Sequence, residues 1–206
     1  MSQNQTEQTN RSFGETCQLF AQVFKKIWVQ ALSVWFVFFV TLTIFPSIWS
    51  QVERKDFPLV EDKNLWSAIF CFLSFNLFAF IGNIVSEWVK VPGPKYVWIP
   101  IALRGLFIPF FVMCRFALET RNFPVIIDND YVYIVGGIVL AFTSGYFSSL
   151  TMMYGPKLVG PEVAGIAGMI MAFCLVMGIT TGVNFSLAVA SIVTTNTANV
   201  GNVTMS

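Results

Sequence analysis

The run IWVQALSVWFVFFVTLTIFPSIW, from Ile27 to Trp49, contains no charged residue and few polar ones. A helix needs about 20 mostly apolar residues to cross hydrocarbon, where each backbone N–H and C=O must be bonded within the segment. This run meets that requirement. Lys25 and Lys26 stand at its start as interfacial anchors, and Pro46 near its far end is expected to kink it. Working outward, runs of the same kind occupy 65–89, 97–118, 131–154 and 162–193. Together they predict an all-α membrane protein of five transmembrane helices. A polar segment, 1–26, is expected to be cytoplasmic and disordered, and a polar tail covers 194–206.

The rest of the composition agrees with a lipid solvent. Of the 206 residues 55% are hydrophobic, only 11% are charged, and 22 are Phe. A net charge of +1 gives no field to gather nucleic acid or acidic substrates. The chain has no His, so neither a His-based triad nor an imidazole metal site can be built from it, and no cofactor or metal is expected. Cys17, Cys71, Cys114 and Cys174 are scattered, and the last three lie in apolar runs where a thiol packs as a small hydrophobe. An intramembrane enzyme is disfavoured too, since no span holds a carboxylate pair and the thiols lack an activating base.

The fifth span exceeds what a bilayer needs and must tilt, bend or project. Its Gly165, Gly168, Gly178 and Gly182 suggest close helix packing, with Gly178/Gly182 and Ala164/Gly168 as small-xxx-small pairs. Val91-Pro92-Gly93-Pro94-Lys95 and Gly155-Pro156-Lys157 are turn chemistry that halts helices on one face. That face carries Arg11, Lys25, Lys26, Lys90, Lys95 and Lys157. The other carries Arg54, Lys55, Lys63 and Arg121, with Arg115 at the border. The excess favours a cytoplasmic N-terminus, an outside C-terminus, and Asn202-Val203-Thr204 as a glycosylation acceptor.

Within the spans three polar positions stand out. Arg104 is the one charge well inside a span, and such a residue costs about 3 kcal/mol on insertion scales. It is therefore expected to face the bundle interior or a watery path, either as a pathway charge or as a structural anchor. Glu87, near a helix end, is its one candidate counter-charge. Asn76 and Asn83 lie two turns apart and share a face of the second span with Ala79. That stripe should meet protein or water, as a ligand site or as hydrogen bonds to a neighbouring helix. Phe72 and Phe75 border it, and aromatic walls with amides suit a planar heterocycle.

Taken in order, these residues resemble the C-terminal part of an equilibrative nucleoside transporter, from about Lys26 to Val193. Ile27-Trp28, Ala31-Leu32-Ser33-Val34 and Phe45-Pro46 carry the resemblance in the first span, and Phe72-Leu73-Ser74-Phe75-Asn76 with Gly82 in the second. Arg104, Ser144-Gly145-Tyr146, Gly155-Pro156-Lys157, Ala167-Gly168 and Met171-Ala172-Phe173 extend it. The family's pattern in the second span is Phe-Asn, then Asp three residues on, then Gly-Arg. This chain has Phe75-Asn76, Ala79 and Gly82-Asn83, so both charged members are replaced together.

The resemblance implies the C-terminal half of a major-facilitator-like fold in which two helical halves rock about a central site. It implies facilitative transport of nucleosides or nucleobases as part of a larger or assembled transporter, with a second six-helix half as partner and the plasma membrane as location. Phe45, Phe72 and Asn76 match positions lining the family's pathway, and Ala79 and Asn83 fall where its sugar-holding charges stand. The alternatives are a non-transporting membrane scaffold or regulatory relative, and a truncated transporter fragment.

Overall fold

The computed structural model describes residues 13–53, 55, 60, 62–118 and 124–194. The tail beyond Thr194, the Asn202 triplet, Arg11, Arg54 and Arg121 lie outside them. Helix α1 runs Phe13–Ile44 and is followed by a 3-10 turn at Trp49–Gln51. The others are α2 (Lys63–Trp88), α3 (Trp98–Met113), α4 (Asp130–Lys157) and α5 (Ala164–Val193). All but α3 are long and apolar enough to cross a membrane. The protein is an all-α, multi-pass membrane protein.

Three boundaries differ from the sequence reading. The polar segment 1–26 is not disordered from Phe13 onward. There α1 begins, with Glu15 in its first turn, where a carboxylate favours the helix dipole. Val23 and Ile27, one turn apart, are buried against Ala167 and Met171 of α5, so packing holds a helix that polarity alone disfavours. At the other end of α1, Pro46 ends the regular helix at Ile44 rather than bending a continuous one. The third span stops at Met113, short of Leu118, and a 3-10 turn at Arg104–Leu106 interrupts it. Pro109 has no N–H for the Gly105 carbonyl and its ring crowds that carbonyl, which accounts for the break just upstream.

Beyond Met113 the chain leaves the span for loop pairing. The Met113 carbonyl accepts from the N–H groups of Ile126 and Ile127, and Glu53 N–H donates to the Arg115 carbonyl at 3.1 Å. Arg115 is thus outside the membrane helix, and its Nη1 meets Asp128 at 2.5 Å. Counting it there leaves the two faces of the charge comparison nearly equal.

The caps are local chemistry. Asp62 Oδ1 accepts from Asn64 and Leu65 N–H at 2.6 and 3.1 Å to start α2, and Asn129 Oδ1 accepts from Tyr131 N–H at 2.8 Å to start α4. α1 is the hub, with Ile27, Val34, Val37, Val40 and Ile44 fully buried. It packs against α5, α4 and α3, while α2 packs chiefly on α4. Gly178 and Gly182 of α5 lie against the backbone carbonyls of Trp35 and Phe39, so this small-xxx-small pair is a helix contact. Gly165 and Gly168 face open space, and the Ala164/Gly168 pair makes no such contact. The N-terminal half of α5 packs instead through Ala167 and Met171.

The candidate substrate wall and the buried arginine

The segment Ala68–Leu73 of α2 is π-helical, a widened turn that displaces the side chains around it and is common at functional sites. Phe72 sits in it. Phe45, just past the end of α1, stacks on Phe75 at 4.0 Å between centroids and meets Phe72 edge-on at 5.5 Å. Beneath them Trp49 is fully buried, edge-on to Phe45 and Phe75. Gly137 of α4 makes room for its ring, since a Cβ there would overlap the indole. The π-turn and the break after Ile44 together build an aromatic wall whose outer member, Phe72, is 44% exposed.

The polar stripe of α2 faces outward. Asn76 is exposed, and its Nδ2 donates to the Phe72 carbonyl of its own helix at 2.8 Å, leaving the amide oxygen free for something beyond the five helices. Asn83 is also exposed; its Oδ1 accepts from Ser149 Oγ of α4 at 2.8 Å. It lines a cleft of about 520 Å³ between α2 and α4, with Ser86, Glu87 and Ser149 as its other polar walls and Met152 and Met153 among the apolar ones. Ala79 lies at the helix crossing, where its backbone carbonyl abuts Gly145. The structure therefore brings Phe45 and Phe72 together, with Asn76 one turn above Phe72, and places Asn83 apart in the α2–α4 cleft. A face bearing two amides is a poor lipid face, because an amide without partners in hydrocarbon costs several kcal/mol, about 4–8 by transfer measurements.

Arg104 reaches α1 at Thr41, one turn before Phe45. It is 2% exposed, where α1, α3 and α4 meet, and its Nη2 donates to Thr41 Oγ1 at 2.9 Å. Thr41 Oγ1 in turn lies 2.9 Å from Ser144 Oγ and 2.7 Å from the Val37 carbonyl. Nε and Nη1 of Arg104 have no partner among the described residues. Glu87 does not serve as its counter-charge: it lies on the α2–α4 cleft, and the bond of Arg104 goes to a hydroxyl. Through that hydroxyl the guanidinium links three helices.

Thr41 and Ser149 carry no signal in the sequence, and Ser144 stands there only among the residues of the resemblance. Asn184, exposed on α5, repeats the Asn76 arrangement, with Nδ2 donating to the Thr180 carbonyl at 2.7 Å. A hydroxyl in a span gives little pattern signal because it can satisfy its donor on its own helix, as Thr41, Thr43 and Thr151 do, although Ser149 gives its proton to Asn83 of α2. Asn184 carries the same signal in the sequence as Asn76, an amide inside an apolar run.

Comparison with known proteins gives concordant results. A family model described as "Nucleoside transporter" matches residues 1–190. Equilibrative nucleoside transporter 1 of Rattus norvegicus is 35% identical over 174 residues, covering 83% of this chain and 38% of the relative. Equilibrative nucleoside transporter 2 of the same organism is 34% identical over 166 residues, covering 80% and 36%. Equilibrative nucleoside transporter 4 of Danio rerio is 29% identical over 164 residues, covering 78% and 29%. The chain spans less than two fifths of the length of these relatives.

Proposed function

Because this chain belongs to the equilibrative nucleoside transporter family, we propose that it takes part in facilitative transport of nucleosides or nucleobases, as one portion of a larger or assembled transporter. The observation that carries the reading is the wall of Phe45, Phe72 and Asn76, which lies on a face of α2 that the five helices leave uncovered. Stacking on the rings and hydrogen bonding to the free amide oxygen would hold a planar base. The opposite wall would come from a second, six-helix half packed over that face. No bond of the substrate is made or broken, so the protein acts as a carrier rather than an enzyme. Arg104, tied to Thr41 one turn before Phe45, holds the helices in register.

The expected location is the plasma membrane, with the N-terminus in the cytosol. A second reading is favoured by one observation. At Ala79 and Asn83, where the resemblance places the sugar-holding charges, one residue is jammed at a helix crossing and the other is engaged by Ser149. That arrangement suits a nucleobase carrier without ribose recognition, or a non-transporting scaffold.

Uptake of labelled uridine and of labelled nucleobases in transporter-deficient cells separates these. The expected result is saturable uptake only when the chain is co-expressed with a six-helix half from a relative, falling at least tenfold in Asn76→Ala at equal surface expression. Saturable uptake by the lone chain would remove the assembly clause. No uptake in any combination, with both pieces at the surface, would leave the scaffold reading standing.

A further inference from the structure

Between α1 and α3 lies a second groove, of about 570 Å³, lined by Trp28, Leu32 and Phe36 of α1 and by Trp98, Ile101 and Ala102 of α3. Its walls are almost wholly apolar, and none of its lining residues lies on α2. On α1 the positions Lys25, Trp28, Val29, Leu32 and Phe36 fall at helical spacing on one stripe, so Lys25 stands one turn below the first groove residue. On the other wall Lys95 precedes Trp98 by three residues, in the turn that starts α3, and its Nζ lies 5.9 Å from the Tyr96 ring. Gln30 Nε2 donates to the Pro94 carbonyl at 2.8 Å, which pins that turn beside α1 at the level of the groove mouth. Lys25, Lys26 and Lys95 make no ion pair among the described residues.

We propose that this groove is a binding site for an anionic phospholipid, with an acyl chain between α1 and α3 and the headgroup phosphate held by Lys25 and Lys95. The charge at the mouth selects the occupant. A neutral lipid or an apolar helix from another protein would use the groove but gain nothing from two lysines, whereas an anionic headgroup neutralises both. Lysine stems cover apolar wall while their ammonium groups reach the headgroup layer, and Trp28 and Trp98 are the aromatic residues that settle at that depth. The inference stands whether or not the chain transports anything.

The test is native mass spectrometry of the purified 206-residue chain, with phosphatidylserine and phosphatidylcholine of identical acyl chains added in turn. Retention of phosphatidylserine over phosphatidylcholine is expected, with the double variant Lys25→Ala and Lys95→Ala lowering phosphatidylserine affinity roughly tenfold or more, since each lysine is worth about a fivefold factor near an anionic surface. Phosphatidylcholine, whose phosphate is offset by its own choline, should lose far less. Ala102 is exposed in the groove wall, so Ala102→Trp tests the acyl site without touching the core and should remove both lipids. Equal retention of the two lipids, or a serine-lipid preference that survives the lysine substitutions, would overturn the proposal. Phosphatidylserine binding that survives Ala102→Trp would overturn the acyl-chain half of it.

Discussion

Two helix crossings hold this bundle together, and they reach the same closeness by different means. Where α2 meets α4, each helix contributes one glycine. A Cβ at Gly82 would run into the Phe142 carbonyl and the Tyr146 nitrogen, and one at Gly145 into the Ala79 carbonyl. Backbone faces backbone on both sides. Where α5 meets α1, both glycines come from α5, Gly178 and Gly182. They face the Trp35 and Phe39 carbonyls, and a Cβ added at either would also come within 3.1 Å of the Cβ of Phe38 or Leu42. With small residues on one side only, the partner keeps its bulky aromatic surface, and Phe39 packs on Phe185 at 5.2 Å. Close approach of this kind supports dispersion and Cα–H···O contacts that replace the hydrophobic drive absent in lipid.

If the reciprocal crossing is the more rigid, it should be the more easily broken. Gly145→Ala is expected to cost about 3 kcal/mol or more, at the upper end for overpacking, because the obstructing atom is a helix carbonyl that moves only with the whole of α2. Thermal unfolding of the detergent-solubilised chain should show it, together with loss of the Asn83–Ser149 contact that depends on the same crossing. A melting temperature close to that of the unaltered chain would mean that α2 can slide freely on α4, and the contrast between the crossings would vanish.

Gly182→Ala is the next largest. Its Cβ would stand 2.6 Å from the Phe39 carbonyl, a backbone clash that α5 relieves by moving off α1 at a cost of about 1–2 kcal/mol. Gly168→Ala, on the same helix in open space, is the control. It should leave stability unchanged or raise it by up to about 1 kcal/mol through helix propensity. The order Gly145, Gly182, Gly168 is the prediction, and a cost at Gly168 comparable to that at Gly182 would show that glycine spacing, not the observed contact, governs packing in α5.

The same pair of crossings marks how far the sequence could be read. Gly178/Gly182 was legible because both residues lie on one helix at a spacing that names a face. Ala164/Gly168 has the same spacing and no contact, since spacing cannot say which face meets a neighbour. Gly82 and Gly145 are sixty-three residues apart, and a motif shared between two helices has no local signature. Arg104 stood out as a buried charge, but its partner Thr41 did not, because a hydroxyl already bonded to its own helix looks apolar to any pattern. Asn76 and Asn83 were legible as a stripe. That the stripe turns outward was not, because periodicity fixes which residues share a face and leaves open what covers it. The start of α1 was hidden by polar residues whose helix is stabilised by α5, nearly the whole chain away.

The smallest expected effect concerns the loops at the far end of the α2/α4 pair. Asp128, just ahead of α4, is bonded to Lys55, between α1 and α2, and to Arg115 beyond α3. Hydrogen bonds from these two cations hold its carboxyl below the usual carboxylate range. A carboxyl lowered in the folded chain adds stability above its unfolded value, about 3.9, and loses that addition as pH falls through the lower folded value. Acid should therefore release the loop ties at the end of the α2/α4 pair while the α1/α5 crossing, which has no titrating group at its glycines, is untouched. The effect is small because the carboxyl is open to solvent, where ion pairs are screened and contribute little. Thermal unfolding from pH 6 to pH 3 should fall slightly more steeply for the unaltered chain than for Asp128→Asn, and added salt should narrow the gap. Identical slopes for the two would show that the tie contributes nothing, and that the two crossings are equally indifferent to the charges at their ends.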